Sequence, residues 1–162
     1  NIAVSTKERS VKKYSGQHTS ERQTQKDTNG LNAELAVYDY LKSRFDEVQW
    51  MSSYAAQAGI NSAASDMFHY DIQYCNEAGE IVYVEVKSVQ NHLNIEFKMS
   101  QAELQFAQEH CKNYEIYVVQ HADKKIRALG KIFDFDDTEI LWDNSKFSIQ
   151  ADAFVLKAKI KG

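Results

Sequence analysis

Two segments of alternating apolar and polar residues, joined by a short turn, constrain the fold of this chain more than any other feature. They span residues 68–75 and 80–87, with Asn, Glu, Ala and Gly at 76–79 between them. If both apolar sets share one face of a sheet, the segments form an antiparallel hairpin whose three-residue loop has Gly79 at the left-handed position of a type I turn plus bulge. The pairs predicted on the apolar face, which begins at Phe68, are Tyr70 with Val86, Ile72 with Val84, and Tyr74 with Val82.

The same register places two carboxylates side by side, with Asp71 opposite Glu85. Cross-strand neighbours have Cβ atoms about 5 Å apart, and two unit charges at that distance repel by roughly 3 kcal/mol at an effective dielectric of ~20. Lys87 lies on the same face as Glu85 and can share the site, but it cannot neutralise both acids. A proton or a cation must then supply the rest. The simpler alternative is a solvent-facing hairpin that carries ordinary surface charges.

A third acid lies on the apolar stripe of a helix predicted over residues 30–45. The stripe consists of Leu31, Val37, Tyr38, Leu41 and Phe45, and Glu34 falls on it. Burying a carboxylate costs several kcal/mol unless a partner compensates, and no basic residue stands three or four positions away. An edge glutamate that reaches solvent is the alternative. If Glu34 joins the hairpin acids, the oxygen-only ligand set suits Mg²⁺ or Mn²⁺ rather than zinc.

These residues resemble the active site of the PD-(D/E)xK nuclease superfamily. The match extends over residues 30–34, 69–72, 84–88 and 97–100, followed by Glu103, and it is similar to the Mrr-like branch. The similarity is greatest to the family named after the C-terminal region of the plant protein NO VEIN, which is found attached to larger, often ATPase-containing proteins. It covers roughly residues 29–121, with His69 standing where a glycine is expected.

The resemblance implies an α/β fold with a mixed sheet, namely a restriction-endonuclease-like αβββαβ core with additional C-terminal strands. It implies an Mg²⁺-dependent (or Mn²⁺-dependent) endodeoxyribonuclease, the effector of a larger restriction or anti-phage defence protein. Asp71, Glu85 and the Val86 carbonyl would bind the metal, Glu34 would hold a metal-bound water, and Lys87 would orient the attacking water or stabilise the phosphorane. DNA and other domains of a parent protein are the implied partners, and a homodimer is left open.

The rest of the chain adds further predicted elements. A capping box at residues 100–103 opens a helix that runs to about Cys111, with Leu104, Ala107 and Cys111 on its core stripe. An acidic run at 134–139 is more simply a solvated turn than a second metal site. Lys157, Lys159 and Lys161 suggest an edge strand kept soluble by charge, or alternatively a phosphate contact. Further strands are predicted at 48–51, 93–99, 114–119, 126–135 and 154–160. A loop of small residues is predicted at 52–66.

Charge divides the chain into a leader and a domain. Residues 1–28 carry six basic and three acidic side chains and little apolar pattern, which predicts a flexible basic leader or linker, or else a DNA-contacting arm. Residues 29–162 carry 13 basic and 20 acidic residues and form the nuclease-like domain. The net charge of −4 excludes a strongly basic coat protein, but it does not exclude an enzyme with a local basic groove.

The cysteine count and the hydropathy pattern indicate the cellular compartment. Cys75 and Cys111 cannot build a disulfide framework or a four-ligand zinc site, and no apolar run approaches the ~18 residues of a membrane span. We therefore expect a cytoplasmic protein without a membrane partner. The first residue is Asn1, which suggests a fragment of a longer protein. Two other classes remain alongside the nuclease: a catalytically silent module that binds DNA or a protein partner, and a purely structural interaction domain.

Overall fold

A computed structural model of the chain describes residues 15–132, 147–150 and 155–160. The predicted mixed α/β class is confirmed. The acidic run at 134–139 and Lys161 lie outside the described residues. Besides a 3₁₀ turn at Asp66–Phe68, the elements in chain order are α1 Ser15–Lys42, β1 Val48–Trp50, α2 Ser53–Gln57, β2 Ile72–Cys75, β3 Ile81–Val89, β4 Glu96–Lys98, α3 Gln101–Glu109, β5 Tyr114–Gln120, β6 Ile126–Gly130, β7 Phe147–Gln150 and β8 Val155–Ala158.

A mixed five-stranded sheet forms the centre, in the order β1-β2-β3-β5-β6. Strands β3 and β5 are parallel, and the other neighbouring pairs are antiparallel. On one face, α1 buries Val37 and Leu41 against Val84 of β3. On the other face, α3 and the small sheet β4-β8-β7 enclose a second apolar cluster around Ile116. Residues of β3 therefore alternate between two cores, which is the period-2 pattern expected of a strand covered on both sides.

The predicted hairpin register is confirmed where the strands are paired. Ile72 lies opposite Val84, and Tyr74 lies opposite Val82. Gly79 has a φ of 78°, in the left-handed region that the predicted three-residue loop requires. The Asn76 side chain closes the turn by accepting hydrogen bonds from the backbone N–H groups of residues 78 and 80. Local turn chemistry therefore sets the register.

The predicted strand over 68–75 is wrong in its first half, because β2 begins only at Ile72. Residues 66–68 form the 3₁₀ turn, and His69 follows in a left-handed conformation with a φ of 64°. A chain that turns in this way cannot maintain strand alternation, so Tyr70 does not join Ile72 on the α1 side. Its ring packs in the opposite core, 4.7 Å from the ring of Tyr83 and 5.4 Å from that of Phe106. His69 stands where a glycine was expected, and its positive φ is the conformation that favours glycine.

Replacing His69 by glycine should stabilise the protein. A side chain in the left-handed region costs roughly 1–2 kcal/mol, of which glycine returns a part as extra freedom of the unfolded chain. We expect His69→Gly to raise the free energy of unfolding by about 1 kcal/mol in urea denaturation. His69→Ala is the matched control because it removes the exposed imidazole but keeps the Cβ, and it should leave stability nearly unchanged. Equal effects of the two variants would contradict the assignment of strain to the backbone.

Helix α1 begins at Ser15, well before Leu31, the first residue of its apolar stripe. Residues 15–28, assigned from sequence to the flexible leader, are helical, whereas residues 1–14 lie outside the described residues. Residues 20–28 are exposed, and this stretch is supported by polar contacts one turn apart, such as Gln23 to Asp27 (3.1 Å) and Gln25 to Asn29 (3.0 Å). Apolar periodicity could not reveal it. Of the helices in the described residues, none is long and apolar enough to cross a membrane.

Gly30, within α1, allows α2 to approach closely. A Cβ placed there would lie 2.9 Å from the Tyr54 hydroxyl oxygen and 3.0 Å from a ring carbon of the same residue. Tyr54 belongs to α2, a short helix inside the segment predicted as a loop of small residues. The glycine thus serves helix packing, at the expense of helix propensity.

Adding a methyl group at Gly30 should change the free energy of unfolding differently in the wild type and in a variant that lacks the Tyr54 ring. Alanine favours a helix over glycine by about 1 kcal/mol, but here the Tyr54 ring must move aside. We expect Gly30→Ala to stabilise a Tyr54→Ala protein by about that amount and to give no gain in the wild type, as measured by urea denaturation. The same gain in both backgrounds would show that the close approach costs nothing.

The C-terminal lysine strand is not an edge strand. Within the three-stranded sheet, β8 lies between β4 and β7, and Lys157 pairs across the ladder with Glu96 at 3.8 Å. The edge-strand interpretation was wrong because β4, the second partner of β8, is remote in sequence. The capping box of α3 is confirmed in both of its hydrogen bonds, and the helix ends at Glu109, slightly short of the predicted Cys111. Strand β4 is also shorter than predicted, and Leu93 before it is exposed.

Candidate active site

Glu34 is buried in the middle of α1, with 5% of its surface exposed. Its Oε2 accepts a hydrogen bond of 2.6 Å from the Trp50 indole nitrogen and a second bond from the Ser52 hydroxyl. The edge-glutamate alternative is therefore wrong. Trp50 is a core residue that also serves as a hydrogen-bond donor. The two donors come from β1 and the residue before α2, so the carboxyl is fixed by elements distant from it in sequence.

The pKa of Glu34 is raised from 4.5 to about 7. Burial is the main cause because it removes water from the charged form. The hydrogen bonds from Ser52 and Trp50 act in the opposite direction, and the nearby charge of Glu85 raises the pKa further. Glu34 is thus half protonated near neutral pH.

Asp71 lies just beyond the paired part of the hairpin. Its backbone N–H donates to the Val84 carbonyl at 2.9 Å, and its Oδ2 accepts from the Val86 N–H at 2.8 Å. The side chain is thereby held against β3 next to Glu85. The sequence predicted that Asp71 and Glu85 face each other as a pair in the ladder, but the ladder does not extend to them. The pKa of Asp71 is raised well above its usual range, first by burial and then by Glu34, while the Val86 N–H bond opposes this.

Glu85 and Lys87 lie two residues apart on the same face of β3, the face that α3 covers. The Lys87 ammonium lies 2.9 Å from Glu85 Oε1 and 3.2 Å from Glu103 Oε2, so it bridges the strand and the first turn of α3. Tyr114 of β5 places its hydroxyl 3.5 Å from the other Glu85 oxygen. Burial and then Asp71 raise the pKa of Glu85, which Lys87 opposes. Burial disfavours the charged Lys87, but the carboxylates around it, led by Glu85 and Glu103, raise its pKa overall.

The structure therefore brings together all four side chains singled out from the sequence. Glu34 interacts electrostatically with Asp71 and Glu85, and Asp71 interacts with Glu85 and Lys87. The hairpin acids do not form an ordinary solvent-facing surface, because Glu85 is only 4% exposed. The contacting residues that sequence reasoning did not assign to the site are Trp50, Ser52, Glu103 and Tyr114. Of these, only Glu103 had a sequence signal, its position in the capping box after the predicted strand.

The donor set fits a hard divalent cation in its chemistry. Three carboxyl groups supply only oxygen ligands, and when they are ionised the single charge of Lys87 cannot neutralise all three. In the arrangement seen here the carboxylates are engaged with protein donors. Accordingly, within the described part of the chain, no three His, Cys, Asp or Glu side chains are already arranged as a metal site. Cation binding would require these acids to exchange partners.

The fold and this cluster define a mixed α/β domain with a buried acid-and-lysine site at the end of a hairpin. A model of the family described as Protein NO VEIN, C-terminal matches residues 33–131, which is more than half of the chain and includes all four predicted site residues. The chain belongs to this family. Searches of the curated proteins and of the solved structures found no match to this chain.

Replacing Glu34 by glutamine should remove part of the pH dependence of stability. A carboxyl whose pKa is 4.5 unfolded and about 7 folded binds more protons in the native state, so the wild type loses stability as pH rises between these values. The loss is roughly 3 kcal/mol at the upper end. Glutamine can still accept from Trp50 and Ser52, so Glu34→Gln should be more stable than the wild type by about that amount at pH 8.

Urea denaturation at several pH values from 4 to 8, on the order of one pH unit apart, measures this difference. Glu77→Gln is the control, because Glu77 is an exposed loop carboxylate and its removal should leave the pH slope unchanged. An unchanged slope in Glu34→Gln would show that Glu34 is not the group that takes up the proton.

Proposed function

We propose that this chain is a metal-dependent endodeoxyribonuclease of the PD-(D/E)xK superfamily, Mrr-like branch. The observation that carries the proposal is the convergence of three acids beside Lys87 from separate elements: Glu34 and Glu85 are buried, and Asp71 is half-buried. Burying like charges together is destabilising, so a domain that retains them needs a use for them. The order of α1, β1 to β3, α3 and β5 also agrees with the αβββαβ core of that superfamily.

Each residue has a role that its position supports. Asp71 and Glu85, with the Val86 carbonyl, would hold Mg²⁺ or Mn²⁺, and Glu34 would hold a water bound to the metal. When bound, such a cation polarises a phosphate and lowers the pKa of a bound water. Lys87 would orient the attacking water or stabilise negative charge on the phosphorane, and its raised pKa keeps it protonated for that purpose. Trp50 and Ser52 fix the Glu34 carboxyl by their hydrogen bonds.

The wider role follows from the same proposal. DNA is the substrate, and the domain acts in the cytoplasm as the effector of a larger restriction or anti-phage defence protein, joined to other domains of that parent. A homodimer would place two such sites on one duplex, although the described contacts carry no argument for it.

A second candidate is a nuclease-fold module that binds DNA or a protein partner without cutting it. The engagement of all three acids with protein donors favours it, since those donors already occupy oxygens that a cation would need. Against it stands the electrostatic cost of the cluster, which a module released from catalysis has no reason to retain.

Cleavage of supercoiled, linear duplex and single-stranded DNA with Mg²⁺ or Mn²⁺ tests the nuclease. Asp71→Ala, Glu85→Ala and Lys87→Ala should each lower the rate by at least about 100-fold, because each removes a ligand or the fixed positive charge. Glu77→Ala, a change in the exposed hairpin loop, should retain full activity. Circular dichroism of each variant shows whether it is folded.

The outcomes separate the two candidates. Full activity of folded Lys87→Ala would contradict the mechanism. Binding of DNA in the presence of EDTA, with no cleavage in any metal, would favour the silent module. A protein that ignores both metal and DNA would be left with a purely structural role.

A further inference from the structure

Lys87 is shared between two carboxylates that differ in burial. Its ammonium lies 2.9 Å from Glu85 Oε1 and 3.2 Å from Glu103 Oε2, and the side chain of Glu85 is 6% exposed against 26% for that of Glu103. The inner partner belongs to the acid cluster, whereas the outer partner belongs to the first turn of α3. The nuclease mechanism uses the inner residue as a ligand and gives no role to the outer contact.

We propose that Glu103 is a positioning residue that keeps hold of the Lys87 ammonium when a divalent cation displaces it from Glu85. The inference rests on the proposed function, because it assumes that Glu85 is a ligand of that cation. It adds that the affinity of the site for a cation depends on Glu103, acting through Lys87.

The need for a second partner follows from the charges. A cation bound at Glu85 would face the Lys87 ammonium across the same carboxylate, and like charges at such distances repel strongly in a buried site. Lys87 must then move away from Glu85. Its side chain is only 17% exposed, so an ammonium that left Glu85 without another partner would be buried and unpaired, which is costly. Glu103 is already in contact and removes that cost.

Glu103 is held ready for this by its own element. It is the third residue of α3, its backbone N–H donates to the Ser100 hydroxyl at 3.1 Å, and its Oε2 accepts from the Ser100 N–H at 3.3 Å. Leu104 and Ala107 anchor the helix in the core. The position of the carboxylate therefore does not depend on Lys87. The helix N-terminus also favours negative charge, so the first turn of α3 is a suitable place for a carboxylate that anchors the lysine.

Loss of the Glu103 charge should therefore strengthen the hold of Lys87 on Glu85, where it competes with the cation. We expect Glu103→Gln to weaken Mn²⁺ binding about tenfold, which corresponds to ~1.4 kcal/mol. The affinity would also fall if Glu103 ligated the cation itself, or if its bare charge attracted the cation from a distance. Neither of these effects needs Lys87.

A double-mutant cycle separates them. Calorimetric titration of Mn²⁺ into the full 162-residue chain is compared for the wild type, Glu103→Gln, Lys87→Met and the double variant. If Glu103 acts through Lys87, the roughly tenfold loss falls below about twofold in the Lys87→Met background. The same loss in both backgrounds overturns the proposal. Glu109→Gln is the matched control, since it removes an exposed carboxylate from the same helix and leaves the cap of Glu103 intact, and its Mn²⁺ affinity should equal that of the wild type.

The kinetic counterpart is a split between kcat and KM. A positioning residue for Lys87 should lower kcat in Glu103→Gln at saturating Mn²⁺ while the KM for DNA stays near the wild-type value, and the control Glu109→Gln should change neither. If wild-type protein binds no Mn²⁺, the proposed metal site fails and this inference fails with it. If wild type binds Mn²⁺ and folded Glu103→Gln binds it equally well, only the role of Glu103 is overturned.

Discussion

The cost of burying carboxylates is the constraint on which the rest of this structure depends. Each buried acid needs a donor, and each donor comes from a different element. Trp50 of β1 binds the Glu34 of α1, the Val86 N–H of β3 binds Asp71, and Lys87 joins Glu85 to α3. The polar contacts therefore link the helix on one face of the sheet, the central hairpin and the helix on the other face.

The two faces meet at this point because the hairpin ladder stops early. Strand β2 begins at Ile72, and the preceding residue leaves the ladder and bonds instead to Val84 and Val86 through its N–H and its carboxylate. Glu34 belongs to the face covered by α1, and Glu85 to the face covered by α3, yet the two interact electrostatically. The candidate site therefore lies where the regular ladder ends, as is common for functional residues.

The cluster also explains why this site is more than a stabilising network. Three acids with raised pKa values and one lysine store unfavourable electrostatic energy, which a larger apolar core on each face must offset. Under the proposed function, a bound cation would offset this cost. The proposal also gives the outer carboxylate of α3 a role, because a cation at the inner site would displace Lys87, which would then need another partner.

Local chemistry determined much of the fold from sequence alone. The hairpin register and its glycine loop, the capping box of α3 and the apolar stripe with Glu34 follow from periodicities of two and 3.6 and from turn preferences, and the same patterns singled out the four candidate site residues. Only the tertiary structure showed that His69 turns the chain, that β8 is a central strand, and that Trp50, Ser52 and Glu103 complete the site. Those features depend on contacts between residues far apart in the chain, which leave no periodic trace in a single sequence.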